Sequence, residues 1–363
     1  MGLSITRLVL RDFRSYKHLE IEPDPKLTIL VGPNAAGKTN IVEALQLVTA
    51  GDSFRRPQWS ELVRWGTREA RVELTAQGEG RVLETVLTVG DAGRRVYRVN
   101  GKARRRISEV AGIIPCVSFT PDDLRMVKDS ADKRRSAIDG VGDQLSPAYL
   151  TVRMEYERIV RQRNAALKET QRNQDVLDAL TERLVIKGVA FMGHRHRLFD
   201  RVKAKMSDVY DTLAPGEKLS ASYVPSWRRA DSTFGNADPL DSMREALRKS
   251  EAEEKARGLT LVGPHRDEVV FSVNGREARA FASQGQTRTI ALAWKLAEVA
   301  VITEIAGQAP VLLLDDVMSE LDEVRRHALT SFVGEAAQTF LTTTNLGYFE
   351  QGLVSRAKVV TIS

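Results

Sequence analysis

The sequence is poor in cysteine. Its 363 residues contain one, Cys116 in the apolar string IIPCVSF, which excludes an internal disulfide and any zinc site built on cysteine pairs; that position reads as a buried strand. Long apolar runs are also missing. None approaches the roughly 20 residues of a membrane helix, so no membrane partner is expected. The opening MGLSITRLVLRDF alternates like a strand and lacks the apolar block and cleavage site of a signal peptide. These absences together predict a cytoplasmic protein. Charge of one sign is not in large excess either: 54 Lys+Arg against 48 Asp+Glu leave +6. Any polyanion surface must therefore come from local clusters. Four stand out: Arg94, Arg95 and Arg98; Lys102, Arg104, Arg105 and Arg106; Lys133, Arg134 and Arg135; and, along a helical stretch, Arg153, Arg158, Arg161, Arg163, Lys168 and Arg172. Each reads equally as a nucleic-acid surface or as a solvated face balanced by nearby acids.

What is present has a clear order. Residues 5–10 and LTILV at 27–31 read as strands, the second apolar throughout and hence buried. KTNIVEALQLVTA follows with helical spacing and Gly51 as its stop. The next seventy residues or so are β-rich, with Asn100-Gly101 as a hairpin turn, and the same turn chemistry returns at Asn274-Gly275. After SFTPDDL the texture becomes helical. Ser146-Pro147 is an N-cap and first-turn pair. A second apolar stripe from Leu177 to Leu213 predicts a helix of roughly 55 Å if Gly188 and Gly193 do not break it. From about 258 strands return, then a helix of about twenty residues from Thr287, then VLLLDD, TFLTTT and VVTIS. The expected fold is α/β: a head built from 1–120 and 258–363, with parallel strands plus an antiparallel β subdomain, interrupted by a helical lobe at 121–257 whose antiparallel arm spans about 146–213.

GPNAAGKT at 32–39 fits G-x-x-x-x-G-K-[ST] and sits between a buried strand and a helix, as that motif requires. The backbone of Gly32, Pro33, Asn34, Ala35, Ala36 and Gly37 can surround phosphate oxygens at a helix N-terminus. Lys38 adds a point charge for the β- and γ-phosphates, Thr39 a hydroxyl for Mg²⁺, and Asn40 follows. ATP and Mg²⁺ are the expected cofactors. VLLLDD at 311–316 predicts a buried strand beside the glycine loop that delivers Asp315 to the Mg²⁺ shell. Asp316 comes next, where most such enzymes carry the glutamate that orients the attacking water. The shorter aspartate predicts slow hydrolysis, with Asp316 and Lys38 as catalytic candidates. Ser283, Gln284, Gly285 and Gln286 precede a long apolar-faced helix. Two readings stay open for them: a plain helix cap, or a second phosphate reader that closes over the nucleotide of another copy of the chain.

The order G-x-x-x-x-G-K-T, S-Q-G-Q, DDVMSELD resembles ABC-type ATPase heads, whose signature loop is L-S-G-G-Q; here Ala282 and Gln284 replace the leucine and first glycine. That resemblance implies a dimer-contact loop at Ser319, Glu320, Leu321 and Asp322. The family's switch histidine is replaced by TTTN, so γ-phosphate sensing falls to Thr344 or Asn345. LRDFRSY, FTPDDL, KRRSAID, RQRNAALK, GPHRDE, ASQGQTR and LLDDVMSELDEVRRHAL are similar to the RecF family of bacterial recombination-mediator ATPases. This resemblance implies a homodimer formed with ATP, a weak DNA-stimulated ATPase, and binding to double-stranded DNA at gaps or single-strand junctions. It further implies work with RecR and RecO, indirectly RecA, in replication, recombinational repair and the SOS response. DNA is expected near Lys102, Arg104, Arg105 and Arg106 or along Arg161 and Arg163. The rival readings are another SMC-like or ABC-type ATPase, or a P-loop kinase, neither recognising DNA gaps.

Overall fold

The computed structural model describes residues 2–78, 80–169, 173–227, 238–333 and 338–363; Arg172 of the fourth basic cluster lies outside them. The chain divides into two units, Met1–Arg125 with Ala291–Ser363, and Met126–Ile290.

The first unit is built on a parallel sheet of five strands in the order Lys358–Thr361, Leu27–Val31, Thr339–Thr343, Val311–Asp315, Cys116–Phe119. Its three central strands are apolar or threonine-bearing and buried almost throughout, as a sheet covered on both faces requires. Cys116 opens the edge strand and is buried; desolvation pushes its thiol up to about 11, so it is an unreactive core residue. Thr339–Thr343 lies between Leu27–Val31 and Val311–Asp315, paired in register with both.

A second sheet, antiparallel, runs Tyr16–Ile21, Ser4–Phe13, Glu69–Gly78, Arg81–Gly90, Arg95–Val99, Lys102–Arg104. Leu8, Leu10, Val72, Leu74, Leu87 and Val89 of this sheet join one apolar cluster with Ile41, Leu45 and Val48 of the glycine-loop helix Lys38–Thr49. Asn100-Gly101 turns with φ of 48° and 74°, the doubly positive pair of a tight hairpin. Asn274-Gly275 repeats it at 51° and 77°.

The second unit holds helices Ala131–Leu145, Pro147–Lys168, Gln174–Leu213 and Pro239–Arg257, and a three-stranded sheet of Leu219–Val224, Glu268–Val273 and Arg276–Glu277. Ser146 caps its helix by accepting the Tyr149 N–H, with Pro147 in the first turn. Gln174–Leu213 is one unbroken helix of 40 residues, about 60 Å long. Gly188 does not interrupt it; a Cβ there would meet Met243 and Tyr156 at 2.9–3.2 Å, so it marks close packing.

The boundary expected at 258 moves to 290 for a local reason. Glu268–Val273 pairs antiparallel with Leu219–Val224 over six residues and takes no place in the parallel sheet. The stretch 258–290, with Ser283 to Gln286, thus belongs with the helices.

The basic clusters divide into two kinds. Arg134 is 2% exposed; it donates to Glu268 and to the carbonyls of Met126, Val127 and Asp129. Arg163 is 3% exposed and corrects its assignment to a DNA surface: its guanidinium is 2.6 Å from Glu254 and also donates to Thr181 and Thr260. A guanidinium buried on a carboxylate is a core device, since either charge alone would be stranded. Arg161, two positions away on the other side of the helix, is 70% exposed. In the first unit Lys102, Arg105 and Arg106 are exposed, whereas Arg104 is half-buried, 3.6 Å from Glu109.

Candidate functional site

The glycine loop joins strand Leu27–Val31 to helix Lys38–Thr49. Gly37 stands at φ 99°, which only glycine adopts without strain; a Cβ there would also lie 2.7 Å from the Tyr16 hydroxyl. Gly32 leaves no room either, because its Cβ would fall 2.1 Å from the carbonyl oxygen of Ile362. Ala35 is forced to φ 66°. Such a non-glycine strain is commonly stored where backbone amides must face a ligand. Lys38 is mostly buried, and its ammonium donates to the carbonyls of Gly32 and Pro33, 2.7 Å each.

Strand Val311–Asp315 delivers its last residue to this loop. Thr39 Oγ1 donates to Asp315 Oδ1 at 3.0 Å, and Thr342 Oγ1 donates to the same oxygen at 2.8 Å. Burial raises the Asp315 carboxyl above the usual range, and the two hydroxyls pull it back. Hydroxyl and carboxylate oxygens are the hard donors that Mg²⁺ takes alongside phosphate and water. Thr39 and Asp315 therefore fit the expected ion. Among the described residues no group of three or more histidines, cysteines or acids could hold a metal by itself, so the nucleotide's own oxygens would have to complete the shell. Thr342 also accepts the Asp316 N–H at 2.9 Å. One threonine from the intervening strand thus fixes both aspartates, and no sequence signal singled it out.

Asp316 adopts φ 51°, a left-handed setting that aspartate tolerates better than most residues. Its carboxyl is raised by partial burial and further by Glu320, while Lys38 draws it down. A carboxylate that feels Lys38 stands near the phosphate-handling end of the loop, where a water-orienting group belongs. Ser319 Oγ donates to the Asp316 carbonyl at 2.8 Å, tying the expected dimer-contact loop to Asp316. Asp322 caps helix Glu323–Phe332 by accepting the Arg325 N–H and is ion-paired with the Arg325 side chain. Of the expected switch residues, Thr344 is exposed, and Asn345 uses its side-chain oxygen to accept the Gly347 N–H at 2.8 Å.

Around Asn40, already a candidate, the loop has neighbours that the motifs did not single out. Asn40 Nδ2 donates to Ser15 Oγ at 3.0 Å, and Arg55 donates to Asn40 Oδ1 at 2.8 Å. Glu43 is fully buried and receives Arg14 through two bonds, Arg55 and the Ser53 hydroxyl. Tyr16 packs at the loop, half-buried, its hydroxyl pushed up to about 12 by desolvation. Arg14, Ser15 and Tyr16 lie in LRDFRSY, so the string marked their importance without their roles.

In the second unit Ser283 and Gln286 form a reciprocal cap. Ser283 Oγ accepts the Gln286 N–H at 3.1 Å, and Gln286 Oε1 accepts the Ser283 N–H at 2.9 Å, the arrangement of a capping box. Helix Gln284–Ala306 begins there. Gln286 Nε2 also donates to Glu217 Oε1 at 3.0 Å. The helix-cap reading is thus literally present, while Ser283 and Gln284 remain exposed. A cap whose serine faces solvent at a helix N-terminus is free to take a second acceptor.

A parallel sheet with a glycine loop on one central strand and an aspartate pair on another, an antiparallel sheet beside it, and an S-x-G-Q helix start in a helical unit define the head of an ABC-type P-loop ATPase. The model of the RecF/RecN/SMC N-terminal domain matches residues 4–362. Curated relatives named DNA replication and repair protein RecF include one from Halalkalibacterium halodurans, 35% identical over 98% of this chain and 97% of its own length. Another, from Gloeobacter violaceus, is 37% identical over 97% and 95%. A solved structure of the recombination mediator protein RecF with ATP, in the RecFOR pathway, superposes with a TM-score of 0.88 at 29% identity, covering 96% of this chain and 94% of that one. The chain belongs to the RecF family. The Smc head domain of Pyrococcus furiosus, at 17% identity and a TM-score of 0.55, shares the fold.

Proposed function

We propose that the protein is an ATP-driven clamp of recombinational repair: two copies close head to tail over two ATP molecules, grip double-stranded DNA at a gap or single-strand junction, and with RecO and RecR promote loading of RecA. Slow, DNA-stimulated hydrolysis through Asp316 reopens the clamp. The observation that carries this reading is the presence of two loops suited to phosphate in one chain. The glycine loop, with Lys38, Thr39 and Asp315, can hold one Mg²⁺–ATP by itself. The exposed Ser283 loop is superfluous for that task and becomes useful when it meets the nucleotide of a second copy. The names of the relatives support repair and recombination as the setting, and the RecF–ATP structures support the nucleotide.

Neighbouring phosphates are the expected DNA contacts, since no base-reading motif is apparent. Exposed Lys102, Arg105, Arg106 and Arg161 are the candidates; Arg104 stands half-committed to Glu109, and Arg163 is withdrawn. Light scattering without nucleotide, with ADP and with ATP–Mg²⁺ tests the clamp, followed by binding to gapped and continuous duplexes. ATP alone should double the mass, and the doubled form should prefer the gap. A mass that never changes leaves an ordinary P-loop enzyme such as a kinase.

A further inference from the structure

The Ser283 loop is approached by one long cation. Lys128 Nζ donates to the carbonyls of Ala278, Arg279 and Ala282 at 3.3, 3.1 and 2.9 Å. Those carbonyls end the short helix Ala278–Phe281, and Ala282 immediately precedes Ser283. An ammonium has three protons and here meets three acceptors, on the negative end of a helix where a cation is favoured.

The lysine side chain is exposed, but the backbone that carries it is held in place. Its backbone is pinned on both sides by the buried Arg134, which takes the carbonyls of Met126, Val127 and Asp129 and is anchored in turn on Glu268. Met126 and Val127 are themselves buried. Across the loop, Gln286 is held by Glu217, whose other oxygen accepts the Tyr210 hydroxyl at 2.6 Å. The four residues Ser283 to Gln286 therefore follow directly on a carbonyl held by Lys128 and end in a side chain held by Glu217, with their own capping box between.

We infer that Lys128 is a positioning residue for the Ser283 loop: it fixes the height and tilt at which Ser283 is presented to the nucleotide of a partner copy, without touching nucleotide itself. The inference rests on the clamp reading for its functional consequence, but the hold on the loop stands within one chain. Removing the ammonium takes this partner from the Arg279 and Ala282 carbonyls, while the Ala278 carbonyl keeps the Ala282 N–H at 3.1 Å, and it loosens the peptide between Ala282 and Ser283. The glycine loop of the same chain keeps all its contacts.

The test uses the full chain as wild type, Lys128→Ala, Lys128→Arg and Ser283→Arg. Amide hydrogen exchange of residues 282–286 is read without nucleotide; ATP affinity and ATP-driven association are read with it. Lys128→Ala should melt and bind ATP like wild type, exchange faster at 282–286, and associate about ten-fold more weakly, the scale of one charged hydrogen-bond set. Lys128→Arg, which keeps a cation in reach, should restore most of both. Unchanged exchange, or faster exchange with undiminished association, overturns the inference. So does a loss of ATP affinity that arginine does not rescue, because that marks general damage. Should Lys128→Ala fail to fold, Lys128→Gln carries the same comparison. If wild type itself does not associate with ATP, the clamp reading fails on its own, and the exchange result alone upholds or sinks the role of Lys128.

Discussion

Asp315 and Thr39 are 276 positions apart in the chain, yet their side chains meet at 3.0 Å, and Thr342 donates to the same carboxylate oxygen. Replacing Thr342 by valine keeps the shape and removes that support. Mg²⁺ affinity in the presence of ATP should fall roughly 10- to 100-fold, the usual cost of an outer-shell partner. Titration of Mg²⁺ against bound nucleotide, with Asp315→Asn as the stronger reference, checks it.

Asp316→Asn should slow hydrolysis on the order of 100-fold, the scale of a lost general base, while ATP-driven association persists. Asp316→Glu restores the longer carboxylate common in such enzymes and should raise turnover. Phosphate release and light scattering on the same samples separate the two effects. Loss of association in Asp316→Asn would assign this residue to assembly.

Ser283→Ala removes one half of the capping box and should cost about 1 kcal/mol of stability. Ser283→Arg should do more in one assay only: ATP binds, and the mass stays that of one chain. Normal association of Ser283→Arg would reduce the loop to a helix cap.

Exposed and buried arginines should part company in salt titrations. Charge-removing changes at Lys102, Arg105, Arg106 or Arg161 should each flatten the slope of log affinity for duplex DNA against log salt by about 0.9 per lost phosphate contact. Arg163→Ala should leave that slope alone and instead destabilise the protein by about 3–5 kcal/mol, since Glu254 is left buried without its partner. Thermal melts beside the DNA titrations read both.

His265 carries a pH dependence. Its Nδ1 is 2.6 Å from the Tyr156 hydroxyl, and its Nε2 is 3.1 Å from the Thr260 carbonyl. The pair fits a neutral ring donating from Nε2. Burial, with Arg266, Arg135 and Arg195 nearby, brings its pKa down to about 4. The unfolded chain takes up a proton below about 6.5 and the folded ring resists until about 4, so acidification through that window favours unfolding. The contribution lost there is up to about 3 kcal/mol at full effect. The difference in melting temperature between wild type and His265→Gln should shrink as pH falls from 7 to 4.5. A constant difference would mean the ring charges while folded.

The first unit was legible because its signals are local. GPNAAGKT carries its strand, its turn and its helix in one string, and Asn100-Gly101 needs only its own two φ angles. Failures arose where the deciding contact is distant. Arg163 and Arg161 sit on one helix with the same charge, and only Glu254, some ninety positions on, makes the first a core residue. Strand 268–273 looked like part of the head because its apolar alternation does not name its partner, Leu219–Val224. Thr342 was anonymous among three threonines until the sheet order placed it beside Asp315, between that strand and the glycine-loop strand. KRRSAID, RQRNAALK and GPHRDE were recognised as strings, but their work turned out to be internal: Arg134, Arg163, Asn164, His265 and Asp267 tie the helical unit together.

The order of strands in the parallel sheet also bears on how the protein is made. The glycine-loop strand leaves the ribosome early, but its neighbours are Thr339–Thr343 and Lys358–Thr361, and the Gly32 Cα packs against Ile362. During synthesis the early strand must wait, apolar and unpaired, while more than three hundred further residues emerge, a topology that folds slowly and exposes aggregation-prone surface. The helical unit, continuous from Met126 to Ile290, is complete well before then. A nascent chain stalled before residue 339 should therefore hold a folded, protease-resistant helical unit and no competence for ATP.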